Sequence, residues 1–152
     1  MRIVTTYNVA LSNNAGKMIM HQAPSNNSGM SSFRKIKEGK KIDVIIKQFD
    51  ESFGRLIIPN VIKIDVEGAE QLVLEGMNDI LDIYHPDIIM EVTDQFLLEL
   101  GFSAKSLCFF LIDKGYSMYQ MTGESYKKIV HVDEISKHQF NAYFTVNQNF
   151  EG

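Results

Sequence analysis

Residues 61–92 alternate strand, helix and strand with little between them, and this alternation limits what the chain can fold into. Val61–Val66, VIKIDV, is a compact strand rich in β-branched residues. From Gly68 to about Leu81, the apolar positions Ala69, Leu72, Val73, Gly76, Met77, Ile80 and Leu81 recur at the i, i+3, i+4, i+7 spacing of one buried helix face. Glu67, Glu70, Gln71, Glu75, Asn78, Asp79 and Asp82 fill the other face, and its acidic beginning complements the helix dipole. Pro86 cannot continue a helix, and Ile88–Val92, IIMEV, supplies the next strand. A strand–helix–strand unit implies a crossover between parallel strands, so the fold class is a layered α/β domain.

The flanks add further strands and helices. Residues 2–11 read as a strand, 17–21 and 42–48 as a hairpin around the Ser/Asn-rich loop 22–32, and 49–56 as a short helix. The basic residues Arg34, Lys35, Lys37, Lys40 and Lys41 read as a solvated loop. After Thr93-Asp94 comes a helical stretch broken at Gly101, in which Ser103 is placed to cap the second half. Strands over 116–121, 127–132 and 140–146 complete the chain. At 152 residues this is a single domain, 1–152, with 45% hydrophobic and 22% charged residues, as in ordinary globular proteins. The net charge of −4, from 15 basic and 19 acidic residues, offers no field for a polyanion, so nucleic acid is not an expected partner. No stretch approaches the ~18 apolar residues of a membrane span. The lone cysteine, Cys108, falls on an apolar helix face as an inert thiol, and a cytoplasmic location is expected.

In open α/β sheets chemistry gathers beyond the carboxyl ends of the strands. Asp65 and Glu67 lie at that end of strand 61–66, and Glu91 lies near that end of strand 88–92. Three carboxylates on one rim can act as a general base, hold a divalent cation or orient a substrate hydroxyl. Asp65, set between Ile64 and Val66, needs a polar reason to be on so apolar a strand. Glu70 is assigned to the solvated helix face. His21, His85, His131 and His138 show no metal-binding spacing, and neither GxxxxGK[ST] nor GxGxxG occurs.

At these residues the chain resembles the FkbM-type methyltransferases. The family pattern is an apolar strand, Lys-x-Asp-x-Glu-Gly-x-Glu, an amphipathic helix containing Leu-x-Gly, then Pro and a strand ending in Glu. Lys63, Asp65, Glu67, Gly68, Glu70, Leu74, Gly76, Pro86 and Glu91 match it. Asn8–Ser12 with Gly16, Asn27-Ser28-Gly29 with Ser31-Ser32, and Gly115-Tyr116 resemble flanking pieces of the same pattern. The resemblance implies a Rossmann-like class I methyltransferase sheet, of strand order 3-2-1-4-5-7-6. It also implies transfer of a methyl group from S-adenosylmethionine, typically to a hydroxyl of a sugar, glycan or polyketide-like acceptor. By that likeness Ala10, Leu11 and Ser12 follow the third strand and border the cofactor's adenine. Asp65, Glu67 and Glu91 would carry the catalysis, Asp65 also facing the cofactor.

The family's first two strand–helix units, with a glycine-rich turn and a ribose-binding acid, are not found ahead of the Asn8–Ser12 segment. The resemblance therefore implies an incomplete sheet, with strand 61–66 as an edge open to self-association. It also implies weak cofactor binding by these residues alone: contacts worth roughly 1–3 kcal/mol each are missing, and each ~1.4 kcal/mol is tenfold in affinity. Two other readings are a non-catalytic remnant serving as a binding or accessory module, and a metal-dependent hydrolase built on Asp65, Glu67 and Glu91.

Overall fold

The computed structural model describes residues 4–23, 31–37, 39–123, 125–135 and 139–150. Two sheets organise them. In the first, β1 (Ala10–Leu11), β2 (Gly16–Gln22) and β3 (Lys40–Lys47) take the order β1-β3-β2. The hairpin expected from 17–21 and 42–48 is present, antiparallel, with Met18 opposite Val44. Most of the loop 22–32, including Asn27-Ser28-Gly29, lies outside the described residues.

After α1 (Phe49–Ser52), the larger sheet opens with β4 (Val61–Ile64). Helices α2 (Glu70–Glu75) and α3 (Asn78–Tyr84) lead to β5 (Asp87–Thr93). Then follow α4 (Asp94–Glu99), α5 (Ala104–Asp113), β6 (Ser117–Thr122), β7 (Ser125–Ile129) and β8 (Gln139–Thr145). The strand order is β4-β5-β8-β6-β7, with β4 parallel to β5 and β8 antiparallel to both its neighbours. The run β4-β5-β8-β6 has the 4-5-7-6 succession that the resemblance implies; β7 is added beside β6 as a hairpin. Ile88, Met90 and Val92 alternate into a core shared with Leu74 and Leu81 from the first crossover and Leu107 and Leu111 from α5. That alternation is the period of two that a strand with one covered face requires. Among the described residues no helix is long and apolar enough to cross a membrane.

Several expectations change. Among the described residues of the strand expected over 2–11, Ala10 and Leu11 alone are in β structure, paired with the short stretch Ile46–Lys47 of β3. Val4 and Tyr7 are exposed, and residues 2 and 3 lie outside the described residues. Strand 61–66 stops at Ile64, and the final strands shift slightly, with Val132–Glu134 forming a 3₁₀ turn. The single helix expected from Gly68 to Leu81 is two helices, broken at Gly76-Met77. The cause is a docked loop. Asn13 Nδ2 donates to Glu75 Oε2 at 2.8 Å, Gln48 Nε2 donates to the Asn13 carbonyl at 2.6 Å, and Ser12 backs onto Gly76. The second helix restarts under its own cap: Asp50 Oδ2 accepts from the Asp79 N–H at 2.8 Å and Oδ1 from the Ile80 N–H at 3.2 Å.

Gly76 separates two opposing effects. Its backbone is right-handed helical (φ −79°), where alanine ordinarily stabilises by about 0.4–1 kcal/mol. A Cβ there would lie 2.0 Å from the Ser12 carbonyl oxygen. Overpacking of that kind costs about 1–3 kcal/mol or more, so sterics win. Gly76→Ala is expected to lower the urea midpoint with the slope unchanged; equal or greater stability would show that Ser12 is free to move aside.

Candidate functional site

The chain leaves β4 at Ile64 and enters α2 through Asp65–Ala69. Glu67 has φ +54° and Gly68 φ +103°, both in the left-handed region. For Gly68 this costs nothing, and a side chain there would collide with the Phe96 carbonyl at 2.7 Å and Arg34 Cδ at 2.9 Å. For glutamate the conformation is uncommon and has to be held. The Glu67 carbonyl accepts hydrogen bonds from Ser32 Oγ at 2.6 Å and Arg34 Nε at 2.8 Å. The Arg34 guanidinium lies 3.5 Å over the Phe96 ring and donates to Glu99 Oε1 at 3.0 Å. Arg34 is buried, 7% exposed, so the expectation that it belongs to a solvated basic loop is corrected.

This loop brings carboxylates together. β4 and β5 pair with Ile64 opposite Met90, which sets Asp65 and Glu67 beside Glu91. Asp65, Glu67, Glu70 and Glu91, with Thr93 and Phe96, line a cleft of about 10 Å³, room for one water. Burial raises the Glu67 carboxyl above its ordinary value, and Glu91, Asp65 and Glu70 push the same way against Arg34. Glu91 is held from across the sheet by Gln139 Nε2. Asp65 is not the buried acid expected of an apolar strand. It stands just past the strand end, 44% exposed, and accepts from Lys63 Nζ at 2.6 Å.

Glu70 is also reassigned. Rather than decorating a solvated face, it is 2% exposed. Its Oε1 accepts from the Gly68 N–H at 3.0 Å, while Oε2 is buried with no partner among the described residues. Burial raises its pKa, opposed by the Gly68 N–H. Gln71, expected on the same polar face, is likewise buried.

A second cavity, of about 610 Å³, opens between the small sheet and β4–α2. Ala10 and Leu11 line it, opposite Ile62 and Ile64, with Phe49 and Asp65 also in the wall. Its size is within the range of small-molecule and cofactor sites. Asp65 lines both the cavity and the acidic cleft. Ser12 lines neither; it is buried, and its N–H is bonded to the Lys47 carbonyl. Among the described residues no group of three or more His, Cys, Asp or Glu is arranged to hold a metal ion. The grouping required by a metal-dependent hydrolase is therefore not met by Asp65, Glu67 and Glu91: Asp65 turns to Lys63 and Glu91 to Gln139. Cys108 is buried, its thiol pushed up to about 12 by burial.

Sequence reasoning overlooked Ser32 and Arg34, which lie 35 and 33 residues before the carbonyl they hold. The available signal was local and weak: Arg34 follows Phe33 directly, and Ile36 comes two residues later, after Lys35.

The Glu70 assignment has a pH signature. A carboxyl whose folded pKa lies above its ordinary 4.5 favours folding while protonated, and that contribution is lost as pH rises through the folded value. Glu70→Gln removes the titration. The melting temperature of Glu70→Gln relative to the parent is expected to climb from about pH 4.5 upward. A difference that stays constant with pH would return Glu70 to solvent.

No curated protein and no solved structure matches the chain. The family model of the FkbM methyltransferase domain matches residues 3–118, a span that includes Ala10, Leu11, Arg34, Asp65, Glu67, Glu70 and Glu91. With most of its length matched, this chain belongs to the FkbM methyltransferase domain family.

Proposed function

We propose that the chain transfers the methyl group of S-adenosylmethionine to a hydroxyl of a sugar, glycan or polyketide-like acceptor. Family membership supports methyl transfer. The observation that carries the rest is the position of Asp65, shared by an apolar cavity and an acidic cleft. The residues fit the cofactor's chemistry. Ala10, Leu11, Ile62 and Ile64 give an apolar wall suited to adenine, and the neighbouring carboxylates favour a cation. When bound, S-adenosylmethionine supplies an electrophilic methyl group on a sulfonium.

The chain's own residues then have three tasks. Asp65, at the junction, accepts a hydrogen bond from the acceptor hydroxyl and fixes its direction, since most of the barrier to such a transfer is alignment. Glu67, raised by burial and by Glu91, takes the hydroxyl proton on a carboxylate oxygen, because a base works best when its pKa is near the working pH. Glu91, anchored by Gln139, holds the negative field that keeps Glu67 basic.

Incubation with methyl-labelled S-adenosylmethionine and a panel of glycosides tests this reading. Label is expected in an acceptor ether, and Asp65→Asn is expected to reduce the rate on the order of 10²-fold or more. Because Asp65 is 44% exposed, the substitution leaves the core intact. Full activity in Asp65→Asn would remove the site from this rim.

A further inference from the structure

Arg34 joins the 67–68 loop to α4 behind the acidic rim. Its Nε reaches the Glu67 carbonyl at 2.8 Å, its guanidinium lies 3.5 Å over Phe96, and it donates to Glu99 at 3.0 Å. Its Cδ fills the space that only a glycine at position 68 leaves open. Its own backbone N–H is tied to Ser32 Oγ at 3.2 Å, and that hydroxyl donates to the same Glu67 carbonyl. None of these contacts is to a carboxylate of the cleft; among the described residues the carboxylate Arg34 meets is Glu99, which is not one of those lining it.

We propose that Arg34 is the positioning residue of the site: it clamps the Glu67 carbonyl so that the left-handed loop stays closed and the Glu67 carboxylate stays against Glu91. This rests on the methyl-transfer reading only in calling the rim a catalytic site. The clamp itself is a matter of backbone geometry. Arginine suits it because a planar fork both stacks on Phe96 and donates in the plane; lysine, a flexible point charge, does not.

The alternative is that Arg34 is simply a counter-ion for the rim, and the two roles predict opposite signs. Among the described residues, the charged groups that face Glu67 are Asp65 from the end of β4, itself paired with Lys63, Glu70 from α2, Glu91 from β5 and Arg34; Glu99 of α4 is joined to them through Arg34. As a counter-ion, Arg34 lowers the Glu67 pKa, so its removal would raise that value. As a clamp, its removal lets the loop relax and the carboxylate swing away from Glu91 into water, so the value falls.

The experiment is a pH titration of the Glu67 side-chain carbon by NMR in ¹³C-glutamate-labelled protein, assigned by its loss in Glu67→Gln. Arg34→Gln, Arg34→Lys and Phe96→Leu are compared with the parent. A fall in all three is expected, with amide spectra away from residues 31–35, 64–70 and 93–99 unchanged. Phe96→Leu and Arg34→Lys keep every charge, so they answer the question even if Arg34→Gln fails to fold. A rise in Arg34→Gln, or no change in the two charge-conserving variants, would overturn the clamp. The titration reads Glu67 with no cofactor present, so a clamp that holds while S-adenosylmethionine fails to bind would count against the methyl-transfer reading alone.

Discussion

The parallel pairing of β4 with β5 is the constraint on which the rest depends. Parallel neighbours need a crossover, and α2 and α3 supply it while burying Leu74, Met77 and Leu81 against Ile64, Ile88 and Met90. At roughly 1.5–3 kcal/mol per fully buried large side chain, that burial is the dominant local term. It also fixes register. With Ile64 opposite Met90, the first residues beyond β4 must emerge beside Glu91, and the carboxylates of two distant segments share one rim. Burial first, and then repulsion from Glu91, Asp65 and Glu70, raises the Glu67 carboxyl held on that rim.

Holding that rim requires offsetting backbone strain. A non-glycine residue in the left-handed region costs of order 1–3 kcal/mol. A hydrogen bond to a charged group contributes about 1.5–3 kcal/mol, and a neutral one about 0.5–1.5 kcal/mol. The two donors on the Glu67 carbonyl, Arg34 Nε and Ser32 Oγ, are therefore enough to offset the strain. Both come from the segment that connects the two strands of the small sheet's hairpin. The small sheet thereby serves the large one: it delivers Ser32 and Arg34 to the loop and Ala10 and Leu11 to the cavity wall.

The sequence was most legible where one pattern served one purpose. The spacing of apolar residues in 61–92 and the alternation Ile88, Met90, Val92 are local consequences of burial, and the strands, the crossover and the end of the sheet that carries Asp65, Glu67 and Glu91 could be read from them. The capping role of Ser103 was equally local, and its side chain accepts from the Ser106 N–H. Illegible features were those decided across the chain. The break at Gly76 comes from Ser12, sixty-four residues earlier, and nothing in a helical period anticipates a docked carbonyl. Glu70 and Arg34 read as surface residues because charge is ordinarily solvated. Their burial follows from a backbone N–H at Gly68 and a carbonyl at Glu67, groups that composition does not display. The strand expected over 2–11 is shorter for the opposite reason: its residues suit a pleat, but among those described only Ala10 and Leu11 find a strand partner.

The claim that the cavity and the acidic rim form one cofactor-facing site is tested most directly by mapping a ligand on the amide spectrum. S-Adenosylhomocysteine, which cannot donate a methyl group, is titrated into ¹⁵N-labelled protein. Fast-exchange shifts are expected at Val9–Leu11 and Ile62–Ala69, the two walls of the cavity. No shift at millimolar ligand, or shifts confined to the groove between α1 and α3 near Asp50 and Tyr84, would contradict it.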